Sequence, residues 1–240
     1  MKIWGPNIAA LKGKTTQSTP KHVITVIVKI PVEIRVLHKF ITISIDILFV
    51  NKIKFFITLS QKICFTTVTH LLNPKTDTIF KAFKGIFKYY YQCGFQLMVV
   101  TSDSGFKPLD KVMVELPGAP CLNLTTANDH EPYVERKIRV IKERLCAVCH
   151  SLPFSNITVQ ITMHMVFFYT KLLNFFPVKG GISDQYSPNA IMSGEIINYR
   201  QYFLPFSFYC QLHKEDLPRN SMDSRTQGAI TLGPSTNCQD

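Results

Sequence analysis

The stretch Phe40-Ile-Thr-Ile-Ser-Ile-Asp46 decides the fold, because isoleucines alternate with small hydroxyl residues until a carboxylate is reached. A period of two is typical of a β-strand with one strongly apolar face. An aspartate in such a strand is uncommon, since carboxylates are seldom buried unless they are paired or bound to a metal. The stretch therefore predicts both a core strand and a candidate functional group.

Two more strand-like runs follow this one. Residues 39–50, 54–60 and 63–70 are rich in Ile, Phe, Val and Thr. Short polar breaks at Asn51-Lys52 and Gln61-Lys62 suit hairpin turns. Together they predict an antiparallel meander of three strands.

Helical periodicity replaces the alternation after the meander. Apolar side chains recur at spacings of three and four over residues 76–92, and Gly94 ends the pattern. A strand over 95–100, a loop through Pro108 and Pro117-Gly118, a short strand near 121–125 and a charged helix follow. This order predicts an α/β domain with a mixed five-stranded sheet flanked by helices.

Two further acids lie in different settings. Asp103 follows an apolar run, and Glu135 lies among strong helix formers with Arg136 and Arg139. The separations are 103 − 46 = 57 and 135 − 103 = 32 residues. Each acid taken alone is more simply a solvated strand end, turn residue or helix charge. Together they indicate a carboxylate site for two divalent ions. Phosphodiester chemistry uses two such ions about 3.5–4 Å apart to stabilise the attacking and leaving oxygens.

Charge points to a polyanionic partner. The chain has 27 Lys and Arg against 16 Asp and Glu, a formal net charge of +11. Such a surface favours contact with phosphates, which release counterions when they are neutralised. Nucleic acid is the favoured partner, although many basic chains bind none.

Several motifs occur in an order that resembles one known family. They include Ile3-Trp-Gly-Pro6, Ile45-Asp-Ile-Leu-Phe-Val-Asn51, Ser102-Asp-Ser-Gly-Phe106 and Val134-Glu-Arg-Lys-Ile-Arg139. The sequence resembles the catalytic core of copia-type LTR-retrotransposon integrases, a branch of the DDE transposase and retroviral integrase superfamily. The collinear order of the three acid-bearing motifs is the specific part of the resemblance.

The resemblance implies a function and a set of site residues. It implies an RNase H-like fold in which Asp46, Asp103 and Glu135 are catalytic and jointly hold two Mg²⁺ (or Mn²⁺) ions. The activity implied is 3′-end processing of a reverse-transcribed DNA and its joining to target DNA, in the nucleus and in a homo-oligomer. Arg136, Arg139 and Lys142 would face the DNA.

Domain boundaries follow from the distribution of Gly, Pro and basic residues together with this resemblance. We expect a basic connector from a polyprotein over residues 1–36, the RNase H-like core over 37–178 and a truncated, β-rich C-terminal extension over 179–240. The paired His and Cys zinc module that precedes the core in this family is not visible, so we expect a fragment. A catalytically inactive nucleic-acid-binding remnant is therefore one alternative, and a ribonuclease or nuclease of the same fold is another.

Other functional classes are disfavoured. Residues 157–176 are apolar, but Gln160, His164, Lys171 and Asn174 interrupt them, so we expect a buried domain helix and no membrane partner. No signal peptide is visible. Cys146-Ala-Val-Cys149-His150 fits the haem-attachment pattern by coincidence, so we expect no haem. The seven cysteines predict reduced, mostly buried thiols.

Overall fold

A computed structural model describes residues 7–14, 26–125, 132–152, 154–214 and 222–234 of the chain. It divides into two compact units, Thr25–Ile197 and the combination of Met1–Ile24 with Asn198–Asp240. The Ile3 to Pro6 motif and the segment that precedes the Glu135 helix lie outside the described residues.

The larger unit contains a five-stranded sheet. Its strands are β1 (Phe40–Val50), β2 (Ile53–Ser60), β3 (Thr66–Leu71), β4 (Gln96–Ser102) and β5 (Cys121–Leu124). The order across the sheet is β3-β2-β1-β4-β5. Strand β2 is antiparallel to β1 and β3, whereas β1, β4 and β5 are parallel. This mixed sheet, flanked by helices, confirms the fold class that the sequence predicts for an RNase H-like domain.

The two turns of the meander differ. Asn51 and Lys52 both adopt positive φ, 47° and 66°, as a two-residue hairpin with the twist of its strands requires. The second turn is longer, and Cys64 within it has φ 61°. Strand β3 therefore begins at Thr66 and not at Ile63. The prediction that residues 63–65 are strand was wrong because the chain turns there.

Helices cover both faces of this sheet. The α-helices within the described ranges are α1 (Ile8–Lys14), which belongs to the smaller unit, and, in the larger unit, α2 (Val32–Leu37), α3 (Thr76–Gln92), α4 (Asp110–Met113), α5 (Pro132–Ser151), α6 (Val159–Leu173) and α7 (Pro188–Ser193). Helix α3 has the predicted bounds. The segment after β4, predicted as loop, instead forms a 3-10 helix, Ser104–Leu109, that leads into α4.

The side chains of β1 alternate between two layers. Ile41, Ile43 and Ile45 join the buried side of α3 in one apolar cluster, which includes Phe83 and Tyr90. Helix α5 packs against β1 and β2. Its buried residues lie outside that cluster; they are Val134, Ile141 and Leu145. Ser44 and Asp46, which alternate with the isoleucines, therefore belong to the face that α5 covers.

Helix α6 lies within the apolar run that raised the question of a membrane span. It packs against β3 and α5, and it buries Thr162, Met165, Val166 and Thr170. Within the part of the chain that the structure describes, no helix has the length and hydropathy needed to cross a membrane. Its packing agrees with the predicted domain helix.

The smaller unit carries a β-hairpin. Strands β6 (Tyr209–His213) and β7 (Thr226–Ile230) pair antiparallel, within the segment predicted to be β-rich. Helix α1 belongs to the same unit, where Lys12 O accepts a hydrogen bond of 2.8 Å from Arg225 N.

The cysteines correct one expectation. The six cysteines in the described ranges are free thiols. Cys121 and Cys146 are exposed, and the other four are only half-buried. The prediction of mostly buried thiols was therefore wrong for these six, and Cys238 lies outside the described residues.

Candidate active site

Asp46 and Asp103 lie at matching positions on neighbouring parallel strands. The register of β1 and β4 pairs Ser44 with Thr101, an offset of 101 − 44 = 57 residues. The two aspartates have the same offset, 103 − 46 = 57, so each lies two residues beyond that pair. Asp103 directly follows β4 and is still extended, with φ −68° and ψ 161°. The sheet therefore brings these two predicted site residues to the same level.

A hydroxyl and amide network fixes the strands just before the aspartates. Thr101 Oγ1 donates to Ser44 Oγ at 2.9 Å. Gln61 Nε2 donates to Ser44 Oγ at 3.2 Å and to Thr101 Oγ1 at 3.3 Å. Ser44 and Thr101 are buried, so a loss of these contacts leaves polar atoms without water. This role of Gln61 was not predicted, because Gln61 follows β2 at a position whose sequence indicates only a turn.

Each aspartate has a local partner. Asp46 Oδ1 accepts a hydrogen bond of 2.6 Å from Ile47 N. Asp103 Oδ1 accepts from Thr125 Oγ1 at 3.4 Å, and Thr125 N donates to Ser102 O at 2.9 Å just after β5 ends. Both aspartates are half-buried. Their carboxylates are therefore oriented by the sheet and still reach solvent.

Glu135 lies on α5, the helix that covers this face of the sheet. It lies in the first turn of α5, where the helix dipole favours an acidic side chain. Val134 beside it is fully buried, while Glu135 itself is exposed. Helix α5 covers the sheet face to which Asp46 belongs, so the three predicted acids share one side of the domain.

The three acids do not form a complete metal site in this arrangement. Among the described residues, no group of three or more His, Cys, Asp or Glu side chains is placed so that it could hold a metal ion. Carboxylate oxygens are suitable ligands for Mg²⁺. The donor types therefore fit this ion, but Glu135 does not complete the set.

The predicted DNA-facing cations are exposed on α5 but do not share one stripe. Arg136, Arg139 and Lys142 advance by three residues at a time, which rotates each by about 60° relative to the last. Arg139 and Lys142 lie on the flank that also carries Glu135. Arg136 points to the other flank, where it lines a cavity with Lys137.

That cavity was not predicted. Its volume is about 880 Å³, and it lies between α5, the end of α6 and the segment after α6. Tyr133, Lys137, Val140 and Arg144 recur along α5 at spacings of three and four, which is the signal that could have indicated it.

Comparisons with known proteins give likenesses of fold only. No protein-family model matches the chain, and no curated protein matches it. Among solved structures, the chain is similar to the catalytic core domain of BIV integrase, with 13% identity and a TM-score of 0.43 over 63% of this chain and 92% of that one.

It is also similar to the HTLV-2 integrase catalytic core domain in complex with magnesium, a trimeric form, with 12% identity and a TM-score of 0.43 over 65% of this chain and 96% of that one. The fold class of this chain follows from its own strand order, which is that of an α/β domain with a mixed five-stranded sheet flanked by helices.

Proposed function

We propose that this chain is the catalytic domain of a retrotransposon integrase, a polynucleotidyl transferase. The observation that carries the proposal is one offset of 57 residues. It separates Ser44 from its strand partner Thr101, and it also separates Asp46 from Asp103. The fold itself does not require a carboxylate at the same level of both central parallel strands. Two half-buried acids so placed have no role in forming the apolar core.

Asp46, Asp103 and Glu135 are the proposed catalytic residues. Two Mg²⁺ or Mn²⁺ ions would stabilise the attacking and leaving oxygens of a phosphoryl transfer. The sheet holds the two aspartates level, and α5 carries Glu135 on the same side of the domain. Because Glu135 does not complete the set here, we propose that it joins the aspartates when metal and DNA bind.

DNA is the proposed partner, both as element ends and as target. Arg139 and Lys142 share the flank of α5 that carries Glu135, and Arg136 extends the basic surface around the helix. Cations next to the acids would hold phosphates near the reacting bond and give salt-dependent binding. The proposed reactions are 3′-end processing and strand transfer.

The finer identity rests on the motif order. We propose the copia type, action in the nucleus and a homo-oligomer as the active form. We also keep the division into a connector over 1–36, a core over 37–178 and a C-terminal extension over 179–240 as a proposal.

A catalytically inactive nucleic-acid-binding remnant is the second candidate. One observation favours it: the described residues contain no three-ligand group that could hold a metal ion. Such a remnant would keep the basic surface and bind DNA without turnover. Binding and turnover must therefore be measured separately.

The test is turnover of branched DNA that mimics a strand-transfer product. A branched substrate removes the need to know the cognate DNA ends. Metal-dependent resolution by the whole chain, lost in Asp46→Asn, supports the integrase, and DNA binding without product supports the remnant. An RNA strand cut in an RNA–DNA hybrid, with branched DNA untouched, would instead indicate a ribonuclease of the same fold.

A further inference from the structure

The cavity beside α5 has an unbalanced charge. Arg136, Lys137 and Arg144 line it from α5, and Lys179 lines it from the segment after α6. No Asp or Glu is found among its lining residues in the described part of the chain. Around a cavity whose described lining holds four cations and no carboxylate, a bound anion would relieve the repulsion between these cations.

Lys137 is the cation that is least exposed to water. Burial lowers the pKa of its ammonium group, the Cys64 thiol opposes this effect, and Arg144 lowers the pKa further. An ammonium group in such surroundings gains more from a charged hydrogen-bond acceptor than one in open water. The cavity is therefore preorganised for an anionic group near Lys137 and Arg144.

Most of the other lining side chains are aromatic or aliphatic, and Gln61 and Cys64 add polar atoms. Tyr133 and Arg136 lie at the start of α5, while Tyr169, Leu173 and Phe176 come from the end of α6 and the segment after it. Tyr133 is 56% exposed, so its ring is free to accept a planar partner at the cavity rim. Flat rings next to cations are the elements that bind bases and phosphates of unpaired nucleic acid.

We propose that this cavity binds a nucleotide, with its phosphate on Lys137 and Arg144 and its base against the aromatic side chains. The volume of about 880 Å³ lies in the range of small-molecule sites and accommodates one nucleotide. The nucleotide is either a free mononucleotide or an unpaired nucleotide of a DNA strand, because both present the same phosphate and base. This inference does not depend on the proposed catalytic activity.

The test is the binding of dAMP to the whole chain, measured by calorimetry without divalent metal. We expect saturable binding, with inorganic phosphate and deoxyadenosine each binding more weakly than dAMP. Lys137→Gln and Arg144→Gln should each weaken dAMP binding by about tenfold, which is the usual size of a lost charged hydrogen bond. Lys84→Gln removes an equal charge from the exposed side of α3 and should leave the affinity unchanged.

Tyr133→Ala separates base recognition from phosphate recognition. Because Tyr133 is largely exposed, its loss should leave the fold intact, as circular dichroism can verify. This variant should weaken dAMP binding by about fivefold or more and leave phosphate binding unchanged. Equal loss for both ligands would contradict a base contact at this ring.

The source of the nucleotide is resolved by competition. A DNA duplex with a short unpaired end, competed by dAMP where a blunt duplex is not, would assign the cavity to a DNA strand. Binding of dAMP alone would assign it to a free mononucleotide. The proposal is overturned if dAMP does not bind at millimolar concentration, or if Lys137→Gln, Arg144→Gln and Lys84→Gln all bind it equally. Sedimentation as a stable dimer that is formed through this cavity, with no nucleotide bound, would overturn it as well.

Discussion

Thr101 donates its hydroxyl hydrogen to Ser44 across the two central parallel strands, with 2.9 Å between the oxygens. Asp46 and Asp103 each lie two residues beyond this pair. The same register that aligns the buried hydroxyls therefore aligns the two candidate catalytic carboxylates. A change that disturbs the hydroxyl pair should disturb the site as well as the stability of the sheet.

Thr101→Val should reduce the free energy of unfolding by about 1–2 kcal/mol, because Ser44 and Gln61 lose a buried hydrogen-bond partner while the side-chain shape is kept. Urea unfolding measures the change. Thr69→Val is the matched control on half-buried β3 and should change the stability by less than about 0.5 kcal/mol. Equal effects of the two variants would mean that the network does not stabilise the sheet.

Asn174→Ala should destabilise the fold by about 2–4 kcal/mol. The amide of Asn174 is buried after α6 and binds both backbone groups of Thr66, accepting from N at 2.9 Å and donating to O at 2.7 Å. Its removal leaves two buried groups at the start of β3 unsatisfied. Thermal and urea unfolding measure the loss, and the exposed Asn156→Ala should cost almost nothing.

Two glycines should respond in opposite directions to alanine. Gly85 lies inside α3, and an added methyl group there would meet open space, so Gly85→Ala should stabilise by about 0.5–1 kcal/mol. Gly194 ends α7 with φ +78°, and an added Cβ would lie 3.3 Å from Val28 O. Gly194→Ala should therefore destabilise by more than about 1 kcal/mol, which urea unfolding of both variants measures. Stabilisation by both substitutions would contradict the left-handed cap.

Metal binding should be visible without any DNA substrate. Mn²⁺ at about 100 times its dissociation constant should stabilise the protein by about 2.7 kcal/mol. Asp103→Asn should lose most of this stabilisation, and Asp110→Asn, an exposed acid of α4, should keep it. A thermal shift of the same size in all three proteins would place the metal away from the two aligned aspartates.

Local sequence rules predict part of this fold. Helix α3 has its predicted bounds because Ile79, Phe83, Ile86, Phe87 and Tyr90 fall on one face and Gly94, with φ 87°, follows its end. The start of β3 could not be predicted, because Cys64 adopts a left-handed conformation that thiol side chains seldom take. The 3-10 helix after Asp103 was missed because its glycine and proline are typical of loops.

The site is predictable to a similar extent. The alignment of Asp46 with Asp103 follows from the register of β1 and β4, which pairs Ser44 with Thr101 and which the sequence predicts only as two separate strands. The position of Glu135 depends on how α5 packs across the sheet, a tertiary contact that no local pattern encodes. The cavity on the other flank of α5 depends on how α5 packs against α6 and against the turn after β2, so only the stripe from Tyr133 to Arg144 is visible in the sequence.

We propose above all that the aligned acids catalyse DNA strand transfer. The most direct measurement is the rate at which the whole chain resolves branched DNA with Mg²⁺ or Mn²⁺, beside Asp103→Asn and the control Asp110→Asn. We expect metal-dependent product whose rate falls at least about 100-fold in Asp103→Asn. DNA binding should be kept in this variant, and Asp110→Asn should form product at an unchanged rate. Equal product from Asp103→Asn and the unaltered chain would contradict the proposal.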